Sequence, residues 1–254
     1  MPPAESQPAK PARLRAPLAS QPRRVPVLVE YAESDGKPMA ESIIHLRVAI
    51  DVITPLQNHY RGRLDAFVGG NLMMYYEEGN PRRSVSPDVF VTLEVPSEPP
   101  RPTWKVWEEG KLADFVLEVT SKMTRGKDEG PKKRLYQRLG VSEYWQFDPT
   151  GDYLNPKLKG QRLRSDGQYA QIALEESQEG LRGKSAVLGL ELRLEDGRLR
   201  FFDPEASEYL LTSAEQSAAI RKKSAAIEEL DRARLAAERR VAELERRLAD
   251  LSPD

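Results

Sequence analysis

Cysteine is absent from this 254-residue chain, and histidine occurs only twice, as His45 and His59. Without thiols there is no disulfide, zinc ribbon, cysteine nucleophile or iron–sulfur cluster. Two imidazoles are too few for a histidine-built metal centre. Any divalent ion would rest on carboxylates, the hard oxygen donors that suit Mg²⁺ or Mn²⁺. No segment reaches the ~18 consecutive apolar residues of a membrane span. The proline-rich beginning lacks the apolar core of a signal peptide, so a soluble, cytoplasmic protein is the expectation. Excess charge is missing too: the formal net charge is -1. No global field announces a nucleic-acid partner, and any basic patch must be local.

What the chain does have is a 39% hydrophobic and a 31% charged fraction, a balance that fits one globular domain diluted by polar tails. Residues 1–26 are rich in Pro, Ala and Arg with one acid, Glu5. Such a segment cannot bury enough apolar surface to offset chain entropy and reads as a disordered arm. Residues 27–212 hold the folded domain, and 213–254 form a terminal helix.

Within the domain, Ile43, Leu46, Ile50 and Ile53 recur at near-helical spacing between Ala40 and Tyr60. Glu41 and His45 are four apart and share a face of that helix. Strand-like text runs from Leu64 to Tyr76, broken at Gly69-Gly70, and again over Asp88–Val95 and Phe115–Ser121. A helix is expected over Asp128–Leu139, closed by Gly140, and a strand over Glu143–Phe147. Helix, three strands, helix, strand makes an α/β core around a mixed sheet. Shorter strands over Tyr169–Leu174, Gly189–Leu194 and Arg198–Phe202 read as β additions to it.

Glu118 stands in the middle of the apolar run Phe115-Val116-Leu117-Glu118-Val119. Burying an ionised carboxylate without a partner costs several kcal/mol or more, so a cation, a proton or a metal ion must offset it. Asp88, at the start of the preceding strand, can converge with it if the two strands are neighbours. Phosphodiester hydrolysis needs this grouping: carboxylates around a metal ion, and a lysine to stabilise developing charge. The lysine that an E-x-K arrangement would put at position 120 is Thr120 here. Lys132 and Lys133, on the following helix, are the candidate cations. A plain Glu118–Lys132 salt bridge without metal is the alternative. Lys122, Arg125, Lys127 and Lys133 crowd beside these residues and would meet nucleic-acid phosphates.

After Ser213, Ile220, Ile227, Val241 and Leu248 recur at seven or fourteen residues, with Leu230, Leu244 and Leu251 three behind. This heptad pattern predicts a coiled coil and a homodimer, weakened by Lys223 and Arg234 at core positions. In a parallel dimer Arg240 would face the partner's Glu245. A charged surface helix folded back on the domain is the competing reading.

Several motifs together resemble the Uma-type family of putative restriction endonucleases, within the PD-(D/E)xK nuclease superfamily. They are Ser86-Pro87-Asp88-Val89-Phe90-Val91, Val116-Leu117-Glu118-Val119-Thr120-Ser121, Asp128 with Lys132 and Tyr136, Leu139-Gly140-Val141-Ser142-Glu143-Tyr144-Trp145 with Asp148-Pro149, and Leu188-Gly189-Leu190. The likeness covers roughly residues 35–211. It implies a restriction-endonuclease-like αβββαβ core with extra C-terminal strands. It also implies a catalytic set of Asp88, Glu118 and Lys132, with Glu41 as a further metal ligand beside Asp88 and Glu118. The implied activity is Mg²⁺- or Mn²⁺-dependent cleavage of DNA; RNA is equally compatible with the residues. A catalytically inactive nuclease fold that oligomerises through its terminal helix is the alternative.

Overall fold

A computed structural model describes residues 29–34, 36, 42–177 and 180–251, the last three by backbone only. The expected N-terminal arm lies outside the described residues up to residue 28, and so does Glu41. The chain is mixed α/β. Its first half runs α1 (Ile43–His59), β1 (Ala66–Gly69), β2 (Met74–Tyr75), β3 (Ser84–Val85), β4 (Val89–Leu93), β5 (Trp104–Lys105), α2 (Val106–Glu109) and β6 (Phe115–Val119). A short helix α3 (Arg125–Lys127) then passes through a π-helical turn, Asp128–Lys132, into α4 (Lys133–Arg138). There follow β7 (Glu143–Phe147), β8 (Leu158–Leu163), β9 (Tyr169–Gln171), β10 (Leu174–Ser177), β11 (Gly180–Lys184), β12 (Glu191–Glu195), β13 (Arg198–Asp203), β14 (Glu208–Tyr209) and α5 (Ser213–Leu251).

The main sheet has the order β1-β4-β6-β7-β8-β9, antiparallel except for the β6–β7 pair. Its central strands β6 and β7 are buried at all five positions. Strands covered on both faces lose the apolar–polar alternation and read as continuous runs, as FVLEV does. On one face Val89, Leu117 and Trp145 pack with Val52 and Leu56 of α1 and with Leu192 and Phe201 of a second, five-stranded sheet. On the other, Phe90, Val116 and Tyr144 pack with Tyr136 of α4 and with Trp104. Glu118 and Gln146 alternate onto this second face, two residues along from Val116 and Tyr144.

Three expectations change. First, α1 turns a different stripe inward. His45, Ala49, Val52 and Leu56 are buried, whereas Ile43 and Ile50 are 80% and 47% exposed. Both sets have helical spacing, so periodicity alone could not choose between them. Second, the β additions over residues 153–211 divide between two sheets, a division the strand pattern did not specify: β8 and β9 join the first, and β10–β14 form a sheet of their own. Third, the helix expected from Asp128 begins at Arg125 and is not regular. Pro131 has no N–H to donate within the turn, and the ladder widens there to a π turn.

The terminal helix is 39 residues long, and from Ile220 onward its described residues are exposed. Ile227 and Leu230 are 59% and 70% exposed. At its start Thr212 and Glu215 form a capping pair, with Glu215 also held by Arg200 at 3.0 Å. No described helix is long and apolar enough to cross a membrane.

Candidate active site

The antiparallel β4–β6 register pairs Val89 with Leu117, which sets Asp88 across from Glu118 one step further along. Asp88 Oδ2 accepts a 2.7 Å hydrogen bond from the Val119 N–H, so the carboxylate is tied to the neighbouring strand. From the start of α1, His45 Nε2 stands 3.2 Å from the same oxygen. Ser42 caps that helix by accepting from the His45 N–H, which fixes where the imidazole begins. Gly70 lies against this corner: a Cβ there would collide with the Asp88 carbonyl oxygen and the Ile53 side chain.

Glu118 is fully buried, and both its oxygens are engaged from the helical segment above. Lys132 Nζ donates to Oε2 at 2.8 Å and Tyr136 OH to Oε1 at 2.7 Å. Lys132 and Tyr136 are four apart and therefore share a helix face. Asp128, four before Lys132, completes the row, with its Oδ1 3.6 Å from Lys132 Nζ. Among the described residues neither buried Asp128 carboxylate oxygen has a close hydrogen-bond partner, nor has Thr120 Oγ1, although Lys132 and the Thr124 hydroxyl act on Asp128 from further off. Tyr144 OH holds the Asp128 backbone carbonyl at 2.9 Å. The Gly130-Pro131 pair thus shapes the turn that carries Asp128 and Lys132 down to the sheet.

Burial pushes the Glu118 carboxyl well above the ordinary range; Lys132 opposes this, while Asp88 and Asp128 reinforce it. Asp128 is raised, again chiefly by burial. Burial would also raise Asp88, but His45, the Lys132 ammonium and the Val119 N–H together hold it below its usual value. Lys132 runs the other way from a normal buried lysine. Burial favours losing its proton, yet Glu118, Asp88 and Asp128 outweigh that and raise its pKa. The cluster is rich in carboxylates and holds one locked ammonium.

Asp88, Glu118 and Lys132 are therefore drawn into one cluster, and Lys132 rather than Lys133 reaches Glu118. Lys133 turns instead into a neighbouring cavity. Lys122, Arg125 and Lys127 lie exposed on the segment between β6 and the π turn, at the rim. The sequence motif groups Asp128 and Tyr136 with Lys132 without giving either a role in the site, and it leaves His45 out. The four-residue spacing Asp128–Lys132–Tyr136 puts all three on one helix face and is the signal for a shared site.

A hard divalent ion fits the donor chemistry. Three buried carboxylates share one ammonium, a surplus of negative charge that a cation offsets, and Mg²⁺ needs only one or two protein carboxylates, taking its remaining ligands from water and phosphate. Among the described residues no three acidic or histidine side chains group closely enough to hold a metal by themselves. The expected third ligand, Glu41, falls outside the described residues.

These motifs are those of a nuclease-type family. Residues 22–195 match the family model Uma2, described as "Putative restriction endonuclease", and the chain belongs to that family. No curated protein matches the chain. Among solved structures it is similar to a putative nuclease of the DUF820 group from Anabaena variabilis, at 13% identity. That likeness covers 63% of this chain and 86% of the other, with a TM-score of 0.43.

Proposed function

We propose that the protein is a metal-dependent endonuclease that hydrolyses phosphodiester bonds in DNA. Its working residues are Asp88, Glu118 and Lys132, on an αβββαβ core drawn from α1, β1, β4, β6, α4 and β7. The observation that carries this reading is the cluster of three buried carboxylates, Asp88, Glu118 and Asp128, around the single ammonium of Lys132. Asp88 and Glu118 would hold the ion, Mg²⁺ or Mn²⁺, with Glu41 as a third ligand. Bound there, it supplies Lewis-acid neutralisation of phosphate charge and a more acidic water.

The remaining roles belong to the chain's own groups. Lys132 is held protonated, so it serves as a fixed positive charge and hydrogen-bond donor toward the reacting phosphate, not as a proton acceptor. Tyr136 is kept neutral by burial and orients Glu118 through Oε1. His45 orients Asp88. Lys122, Arg125 and Lys127 meet flanking phosphates, a contribution that weakens steeply with salt.

A competing reading makes the chain a non-catalytic interaction protein, and the Glu118–Lys132 ion pair is the observation in its favour. Calorimetric titration with Mn²⁺ separates the two. Saturable heat that disappears in Asp88→Ala, with Mn²⁺- or Mg²⁺-dependent nicking of supercoiled plasmid lost in the same variant, supports the nuclease. Absence of both in the unaltered protein overturns it.

The same proposal includes a homodimer. The unpartnered seam of Ile220, Ile227, Leu230, Val241, Leu244 and Leu248 on an otherwise polar helix is the surface of a coiled coil. Light scattering of the full chain is expected to give twice the chain mass. The double variant Leu230→Glu/Leu244→Glu is expected to give the monomer mass, since charge at core positions opposes association. A monomeric unaltered chain refutes the dimer.

A further inference from the structure

One polar side chain beside the site takes no part in the chemistry above. Gln146 on β7 stands in register with Glu118 on the adjacent parallel strand, a separation of about 4.8 Å between strands, and alternates onto the same face. It is 3% exposed, and among the described residues its Nε2 has no hydrogen-bond partner. A buried amide left without a bond is a cost that a fold tolerates only where something else completes it. What it borders is a cavity of about 290 Å³.

The walls of that cavity are chiefly amides: Gln161, Gln171 and Asn155 join Gln146, with Lys133, Lys159, Glu129 and Pro156 completing the lining. Lys159 is already matched by Glu129 at 2.7 Å, so one positive charge is in excess. Amide groups both donate and accept, which is the pattern on the edge of a nucleobase. A bare phosphate only accepts, and four amides are a poor way to bind one. The volume falls just under the ~300–1,000 Å³ of ordinary ligand pockets, room for one base and no more.

From this geometry we infer that the cavity receives one nucleobase of the substrate strand, from the nucleotide beside the cleaved phosphate and swung out of its stack. The inference rests on the nucleic-acid reading above and deepens it. Gln146 supplies the buried donor, Gln161 and Gln171 read the remaining edge, and Lys133 balances the adjoining phosphate. Extruding a base costs stacking energy, which is least in single strands and at weak steps. The protein would therefore favour sites where a base leaves easily.

The test is ligand-observed NMR on the full chain with the four deoxynucleoside monophosphates, and with deoxyribose 5-phosphate as the base-free control. At least one nucleotide is expected to bind saturably, with saturation transferred to its base protons, while the sugar phosphate does not bind. Gln146→Leu should weaken that binding roughly tenfold, the weight of one buried hydrogen bond. Gln161→Ala, at the rim and harmless to the fold, should weaken it in the same direction. Equal binding of the base-free control, or both variants binding like the unaltered protein, overturns the inference. If the protein cleaves DNA but no nucleotide saturates, the cavity assignment fails and the nuclease stands. Gln146-dependent base binding without cleavage in any metal gives the reverse.

Discussion

Glu118→Gln is expected to remove metal-dependent cleavage, by roughly 10³-fold or more, while making the metal-free protein harder to melt. The two effects have one cause. At neutral pH the native site gathers Glu118, Asp88 and Asp128 around a single ammonium, and burial together with its acidic neighbours raises the Glu118 pKa. A carboxyl whose folded pKa is raised binds its proton more tightly in the folded state. Its favourable contribution is complete below the unfolded value of about 4.3 and is lost as pH rises through the folded value. Above that point the ionised group works against folding. Gln keeps the shape, accepts one of the two hydrogen bonds and carries no charge. A stabilisation of about 1–2 kcal/mol is therefore expected near pH 8, shrinking toward zero as pH falls to 4. Denaturant melts of both proteins across that range, without divalent ions, measure it. A variant that is less stable than the unaltered protein at pH 8 would show that the Lys132 pair outweighs the burial of charge.

The same physics predicts which way pH moves ion binding. A proton on Glu118 competes with a metal ion, so affinity should climb with pH until that carboxyl is ionised.

Much of this site was legible because charge in an apolar run is rare. Glu118 stands out on that ground, and Pro87-Asp88, just ahead of β4, is the acid that the neighbouring strand can bring to it. The α1 face was not legible: large aliphatic residues at helical spacing pointed to Ile43 and Ile50, yet the buried stripe runs through His45 and Ala49. Small and polar residues face inward there because the helix end meets the site, where side chains serve polar partners. The π turn was also hidden. Pro131 signals a disturbed helix, but not that the disturbance would bring Asp128 and Lys132 to one carboxylate. Gln146 offered only one polar letter in the strand Glu143–Phe147, and its loneliness appears only once the cavity beside it is seen.

Glu143 is the counterpart of Glu118, and its substitution should act in the opposite direction on stability. Both are fully buried glutamates on neighbouring strands, but Glu143 lies on the opposite face and is satisfied from all sides. Oε1 accepts from Arg162 and from the Ala186 N–H at 2.8 Å; Oε2 accepts from Ser185 Oγ at 2.6 Å and Trp145 Nε1 at 3.1 Å. These bonds join β7 to β8 and to the segment that leads into β12, so one carboxylate ties the main sheet to the second. Replacing it by Ala leaves a buried indole N–H, a hydroxyl and a backbone N–H without their acceptor. Breaking a buried charged network of this kind costs about 3–5 kcal/mol, tempered here because Arg162 is partly exposed and can turn to water. Glu143→Ala is accordingly expected to lower the urea midpoint sharply, with Glu143→Gln between it and the unaltered protein. Mn²⁺ binding by the folded fraction should persist, because Asp88 and Glu118 sit across the sheet. A Glu143→Ala protein as stable as the unaltered chain would mean that the two sheets are held by apolar packing alone. Two glutamates that look alike in sequence are thus told apart by their donors: four groups complete Glu143, whereas Glu118 leaves its cluster short of positive charge.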